Sequence, residues 1–222
     1  MFVGPMSESL LGRARKRRVV DIRIHNLRDW SEDKRHRTID DRPYGGGPGM
    51  VIQAEPIFRA LQALQADGAK VFGKKTKPRV IYLSPQGNVL SQAKAATLSR
   101  CPWVILLCGH YEGIDERAMR FIDEEISIGD YVLTGGELPA MVLADALARL
   151  VPGVVKEPGS VAEESFQGGF LDYPQYTRPA VWKGQKVPAL LFSGDHAAIR
   201  QWRTAQALSA TRKKRPDLLR RE

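Results

Sequence analysis

The sequence predicts an α/β fold built on a mostly parallel sheet, and two observations carry that expectation. Short apolar runs of strand length alternate with stretches of helical periodicity, the order that parallel strands joined by crossover helices produce. Three of those runs lead straight into glycine-bearing turns: Val80-Ile81-Tyr82-Leu83 into Ser84-Pro85-Gln86-Gly87, Trp103-Val104-Ile105-Leu106-Leu107 into Cys108-Gly109-His110-Tyr111-Glu112-Gly113, and Tyr131-Val132-Leu133 into Thr134-Gly135-Gly136-Glu137. In open α/β sheets ligands sit beyond the carboxyl ends of strands, where glycine lets backbone approach a bound molecule closely. A fourth glycine turn, Pro43-Tyr44-Gly45-Gly46-Gly47-Pro48-Gly49, precedes the other three.

Taken in order, residues 7–18 read as a helix entered at Ser7 or Ser9, and residues 19–24 alternate apolar and polar side chains as a strand does. After a polar loop, Ile57, Ala60, Leu61 and Leu64 form a helical stripe over 55–67 that ends at Asp67-Gly68. A lysine-rich loop leads to a strand at 79–83. A short helix at 92–99, a strand at 103–107, a helix at 114–122 beginning near Asp115 and a strand at 126–133 follow. An apolar helix at 138–150 is stopped by Val151-Pro152-Gly153, and residues 156–170, rich in Gly, Glu, Ser and Pro, read as a linker. A small second unit starts around 171, with a helix over 197–208 that turns Ile199, Trp202 and Leu208 inward and Arg200 and Arg203 outward. This places a first domain at 1–155, the linker at 156–170 and a mostly helical domain at 171–222.

Composition narrows the function. With 222 residues, of which 34 are Lys or Arg and 25 Asp or Glu, the chain carries a formal net charge of +9 and favours a polyanionic partner. The cations cluster: Arg13, Arg15, Lys16, Arg17 and Arg18; Lys34, Arg35, His36 and Arg37; and Arg212, Lys213, Lys214, Arg215, Arg220 and Arg221. Three clusters on one chain favour nucleic acid over solvated faces. No apolar run reaches the roughly 20 residues of a membrane span, and the amino terminus lacks a secretory signal, so a cytoplasmic location without a membrane partner is expected. Cys101 and Cys108 flank a predicted strand with no His or Cys cluster nearby, which argues for reduced thiols and against a zinc site.

Two familiar phosphate motifs fail. Gly68-Ala69-Lys70-Val71-Phe72-Gly73-Lys74-Lys75-Thr76 puts Lys75 where a nucleotide-hydrolase loop needs Ser or Thr for magnesium, and it follows a helix instead of a strand. In the Gly45-Gly47 frame, Met50 falls where a dinucleotide fingerprint needs its last glycine. None of the four histidines has a cysteine or serine partner identifiable from spacing, which disfavours covalent catalysis. His110 is notable for lying inside a glycine turn. What remains is a cradle for an organic cofactor, a basic surface, and a carboxylate-rich linker ending Glu163-Glu164-Ser165-Phe166.

These residues carry a resemblance. The blocks Asp40-Asp41-Arg42-Pro43-Tyr44-Gly45-Gly46-Gly47-Pro48-Gly49-Met50, Tyr82-Leu83-Ser84-Pro85-Gln86-Gly87, Gly109-His110-Tyr111-Glu112-Gly113-Ile114-Asp115-Glu116-Arg117 and Ser127-Ile128-Gly129-Asp130-Tyr131-Val132-Leu133-Thr134-Gly135-Gly136-Glu137-Leu138-Pro139-Ala140 closely resemble bacterial tRNA (guanine-N1)-methyltransferases, which act on the guanosine 3′ of the anticodon. Tyr176-Thr177-Arg178-Pro179 and His196-Ala197-Ala198-Ile199-Arg200 extend the match, so that it spans residues 1 to about 219.

The resemblance implies the SPOUT fold, in which the parallel sheet is tied into a deep trefoil knot, an exception to unknotted topology. It implies S-adenosylmethionine held bent, largely by backbone, at Tyr82, Leu83, Ser84, Pro85, Gly87, Gly109, Tyr111, Glu112, Gly113, Ser127, Ile128, Gly129, Tyr131, Leu133, Gly135, Gly136 and Pro139. It further implies a homodimer with each active site at the subunit interface, Glu164 as the base that removes the guanine N1 proton, and Arg149 as the cation facing O6. Glu163 is an adjacent alternative base. Asp40, Arg42, Arg200 and Arg203 become tRNA-binding residues, and Mg2+ is admitted as an assisting ion with no protein metal site. Three departures stand out. Glu164 replaces the family's usual aspartate, His110 replaces an arginine of some relatives, and the family's apolar first strand ending Phe-Pro-Glu-Met-Phe is expected to align its last two residues with Met1-Phe2. A ribose 2′-O-methyltransferase of the same superfamily and a catalytically silent RNA-binding protein stay open as alternatives.

Overall fold

The apolar run at 80–83 lies at the centre of a parallel sheet. The structure, a computed structural model, describes residues 1–156, 164–166 and 168–220, and the chain divides into two units, Met1–Lys156 and Glu157–Glu222. The first holds helix α1 (Ser9–Lys16), the short pair β1 (Asp40–Asp41) and β2 (Val51–Ile52), helix α2 (Ala54–Phe72), strand β3 (Arg79–Val89), helix α3 (Gln92–Leu98), strand β4 (Val104–Cys108), a 3₁₀ helix at Glu116–Phe121, strand β5 (Glu124–Ser127) and helix α4 (Glu137–Ala148). The sheet runs β4-β3-β5 with both neighbours parallel to β3, which makes the fold mixed α/β.

Val80, Ile81, Tyr82 and Leu83 are all buried because helices cover both faces of β3, the situation that gives central parallel strands continuous apolar sequences. Successive side chains alternate between faces. Ile81 and Leu83 join Leu98, Ile126, Ala140 and Leu143 in one core, while Val80 joins Ile52, Ile57, Leu61 and Ala118 in another. Beyond Leu83 the strand leaves its ladder and returns. Leu83 and Asn88 both register with Ile126, so Ser84, Pro85, Gln86 and Gly87 form an excursion between them. Val89 then pairs with Ser127, and Leu90 N–H donates to Ser127 O at 2.8 Å.

Several expected boundaries shift for identifiable reasons. Residues 19–24 form no strand; the alternation survives only as burial, with Val20 and Ile22 packed beside Met6, Leu11 and Met141 while Asp21 and Arg23 face solvent. Helix α2 continues through Gly68 to Gly73, whose φ of +84° ends it. Gly68 serves packing instead of capping, since a β-carbon there would run into the Trp103 ring. Phe72 in the added turn stacks on that ring with centroids 5.3 Å apart. The segment 114–122 is a 3₁₀ turn started by the Asp115 carboxylate, which accepts from Arg117 N–H at 2.9 Å. The strand expected over 126–133 stops at Ser127, whose hydroxyl binds both the N–H (3.1 Å) and the carbonyl (3.0 Å) of Gly129 and turns the chain away.

The second unit contains the hairpin β6 (Val181–Trp182) and β7 (Gln185–Lys186), a 3₁₀ turn at Ala189–Phe192, helix α5 (His196–Lys214) and a 3₁₀ turn at Pro216–Arg220. The hairpin turns through Lys183 and Gly184, both with positive φ, as a two-residue loop requires. The Asp195 carboxylate opens α5 by accepting from the N–H groups of Ala197 and Ala198 at 3.0 Å each. Buried Thr211 ties that helix to the chain before it, its hydroxyl accepting from Leu171 N–H at 2.9 Å. Arg203, expected to face outward, is half-buried with its guanidinium 4.7 Å from the Tyr173 ring centroid.

Leu143, fully buried where α4 meets the sheet, tests this account of the core. Leu143→Ala is expected to lower unfolding free energy by about 2–5 kcal/mol, read from the midpoint shift in urea.

Candidate active site

The second and third glycine turns meet, although the third follows no strand. Tyr82, 7% exposed, lies beneath the second turn, where a β-carbon at Gly109 would fall 2.8 Å from its hydroxyl and one at Gly113 3.3 Å from it. Burial and the Glu125 carboxylate push the Tyr82 phenol above its ordinary pKa, against a smaller opposing effect from a hydrogen bond with the backbone of Ile114. It therefore remains a neutral pillar at physiological pH. The third turn closes on the second directly: Gly136 N–H donates to Gly109 O at 2.8 Å, and a β-carbon at Gly136 would lie 2.7 Å from Cys108 Cα. The first turn rests on β5, where Gly87 meets the backbone of Glu125 and Ile126 too closely for any side chain.

The triple-glycine block joins through its far end. Glu112 N–H donates to Met50 O at 3.1 Å, Ile52 N–H to Gly113 O at 3.0 Å and Asp115 N–H to Ile52 O at 2.8 Å. The Glu112 carboxylate occupies the space that a side chain at Gly49 would need. Tyr111 takes a φ of +57° in this turn, a strained conformation for an aromatic residue, and stays 56% exposed. The second turn is thus tied by backbone hydrogen bonds to the third turn on one side and to the end of the triple-glycine block on the other.

One hydrogen-bonded side-chain pair in this region was not legible from spacing. His110 Nε2 donates to Glu137 Oε1 at 2.6 Å, linking residues 27 positions apart. Cys108, the last residue of β4, has its thiol pushed up to about 12, first by burial and then by the charge of Glu137. Among the described residues no group of three or more His, Cys, Asp and Glu side chains could hold a metal ion.

The expected catalytic residues lie in different units. Arg149, half-buried, caps the end of α4, its N–H donating to Asp145 O at 3.1 Å. Glu164, also half-buried, immediately precedes Ser165, whose hydroxyl accepts from Asp172 N–H at 2.9 Å. Glu163 and residues 157–162 and 167 of the expected linker lie outside the described residues. Asp40 sits in β1 opposite Ile52 while Arg42 is exposed just beyond it, and Arg200 is exposed on α5.

The basic clusters divide by use. Arg15 donates to Met6 O at 2.8 Å and Arg17 to Gly153 O at 2.5 Å. Lys34 donates to Ser31 O at 2.8 Å, and Arg37 pairs with Asp29. These cations fasten loops. Arg212, Lys213 and Lys214 lie exposed on the last turn of α5, and Arg215 pairs with Asp217 at 2.6 Å. No helix of the described residues is long and apolar enough to cross a membrane.

Comparison with known proteins addresses the whole chain. The family model described as tRNA (Guanine-1)-methyltransferase TrmD matches residues 1–221. A tRNA (guanine-N(1)-)-methyltransferase of Ruminiclostridium cellulolyticum is 55% identical over 219 residues, covering 98% of this chain and 91% of the relative. Proteins of the same name from Endomicrobium trichonymphae and Dictyoglomus turgidum are 49% identical over 223 residues and 54% over 219; the alignments cover 100% and 99% of this chain and 95% and 85% of those relatives.

The raised thiol makes a chemical prediction, because only thiolate reacts with alkylating agents. At pH 8 Cys108 is expected to react with iodoacetamide roughly a thousandfold more slowly than free cysteine, as followed by peptide mass spectrometry over time.

Proposed function

The chain belongs to the tRNA (guanine-1)-methyltransferase family, and from that membership we infer that it transfers a methyl group from S-adenosylmethionine to N1 of guanosine 37 of tRNA, the nucleoside 3′ of the anticodon. The observation that carries this reading beyond membership is the closure of the third glycine turn on the second, which itself lies on Tyr82, with Gly136 N–H on Gly109 O at 2.8 Å. The cradle is formed by missing side chains: β-carbons at Gly109 and Gly136 would meet neighbours at 2.8 and 2.7 Å. Such backbone fits the adenosine and amino-acid parts of S-adenosylmethionine, and we assign its contacts to residues 82–85, 87, 109, 111–113, 127–129, 131, 133, 135, 136 and 139. S-Adenosylmethionine supplies an electrophilic methyl on a positively charged sulfur.

The protein's part is positioning and proton management. We assign Glu164 the N1 proton: its carboxylate accepts it as the N1–methyl bond forms, and charge gathers on O6. Arg149 offers its guanidinium to that oxygen, a contact that strengthens as charge develops. Asp40 and Arg42 hold the nucleoside, and Arg200 and Arg203 with the exposed cations of α5 hold tRNA phosphates. The second unit is then the tRNA-binding domain and the first the methyltransferase domain. An assisting Mg2+ would take hard oxygen ligands, which RNA phosphates can provide.

Three finer features belong to the same reading. The excursion of residues 84–87 and the return of Asn88 to Ile126 support a trefoil knot of the SPOUT kind. Tyr131, Val132, Leu133, Leu138 and Val142 are 36–83% exposed, an apolar stretch that supports a homodimer in which a second copy covers α4. A tRNA substrate supports a cytoplasmic location.

Methyl transfer to tRNA transcripts carrying or lacking the target guanosine tests the reaction, and incorporation independent of that base would overturn it. Glu164→Ala is expected to reduce kcat about 10²–10⁴-fold with S-adenosylmethionine affinity kept; an unchanged rate removes the assigned role. Binding of tRNA should weaken steeply with salt, and Arg212→Ala with Lys213→Ala should flatten the log-log slope by about two.

A further inference from the structure

His110 sits inside the second turn and Glu137 is the first residue of α4, directly after the third. Their side chains meet at 2.6 Å, with Nε2 donating to Oε1. The contact duplicates a backbone one. His110 forms an isolated bridge with Gly135, and Gly136 N–H donates to Gly109 O at 2.8 Å, so side chains and main chain span the same gap. Gly135 makes room for the pair: a β-carbon there would lie 2.6 Å from Glu137 Oε2 and 2.8 Å from His110 Nε2. On the other side of the turn, Glu112 fills the space beside Gly49. The turn therefore has one side chain reaching toward each flanking loop.

The pair has the features of a fastening. The Glu137 side chain is 22% exposed, less than the 43% of His110, and its place at the start of α4 favours its negative charge. The strained φ of +57° at Tyr111, the next residue, must be maintained by the surroundings. Gly113 N–H closes the turn on His110 O at 3.1 Å, so a displacement of His110 moves the whole turn.

We propose that His110 and Glu137 form a latch that fixes the width of the cofactor cradle, acting as positioning residues for S-adenosylmethionine and not on the tRNA. The inference rests on assigning the cradle to that cofactor. Losing either partner lets the second turn drift from the third, and both groups act through one bond, so their effects should not add. A residue at 110 with a donor long enough to reach Glu137 should restore the latch, and arginine carries such a donor.

Calorimetric titration with S-adenosylmethionine of His110→Ala, Glu137→Ala and the double variant tests this, with His110→Phe as a second variant that keeps the ring volume without the donor. Each single variant is expected to bind roughly tenfold or more weakly. The double variant should be no weaker than the worse single, and His110→Arg should stay within about threefold of the unsubstituted protein. KM for the cofactor should rise while KM for tRNA and kcat at saturating cofactor hold. In the protein without cofactor, hydrogen exchange at the Gly136 amide should accelerate in both single variants. Normal affinity in both, or losses that multiply in the double variant, would overturn the latch, as would an unchanged Gly136 amide. If the unsubstituted protein itself fails to bind S-adenosylmethionine, the cradle assignment falls, and the amide exchange alone decides whether the latch exists.

Discussion

The site depends on main chain meeting main chain with nothing between. Gly109, Gly136 and Gly87 each stand where a methyl group would collide with backbone or with the Tyr82 phenol. That constraint explains why turns separated by tens of residues can lie in direct backbone contact. It also explains why Tyr82 is buried with its hydroxyl still partnered, since the ring is the floor on which the second turn lies. A buried phenol without that partner would carry a desolvation cost.

Charge in this protein has two uses that sequence cannot separate. Arg15, Arg17, Lys34 and Arg37 belong to conspicuous basic runs, yet each reaches a backbone carbonyl or a carboxylate nearby and holds a loop in place. The helix end at Arg212, Lys213 and Lys214 presents its cations to solvent. Net charge forecasts an anionic partner; only geometry says which cations face it. Glu124 shows the structural use most clearly. Burial would raise its pKa, but hydrogen bonds from Lys94 and Arg79 outweigh this and leave it lowered, so it remains a charged link between α3 and the sheet.

Much of the first unit was legible because its signals are local. The four-residue apolar run of β3 announces a strand covered on both faces, and the glycine turns announce close approach. What failed was the meaning of individual residues whose role is set by a distant neighbour. Gly68 reads as a helix end until Trp103 is known to lie against it. Val132 and Leu133 read as strand until Ser127 is seen to bind Gly129 and divert the chain. Residues 19–24 have the alternation of a strand, but alternation reports burial, and a ladder needs a partner that pattern alone does not supply. The His110–Glu137 pair left no trace at all, since nothing in either segment indicates the other.

The return of β3 to its ladder has consequences for synthesis. Asn88 and Val89 take their partners from Ile126 and Ser127, which leave the ribosome well after them, so the carboxyl half of the central strand stays unpaired while α3 and β4 are being made. An exposed strand edge in that interval invites wrong pairing. Chains interrupted before β5 would leave that edge uncovered, and maturation is complete only when the later strand docks beside the earlier one.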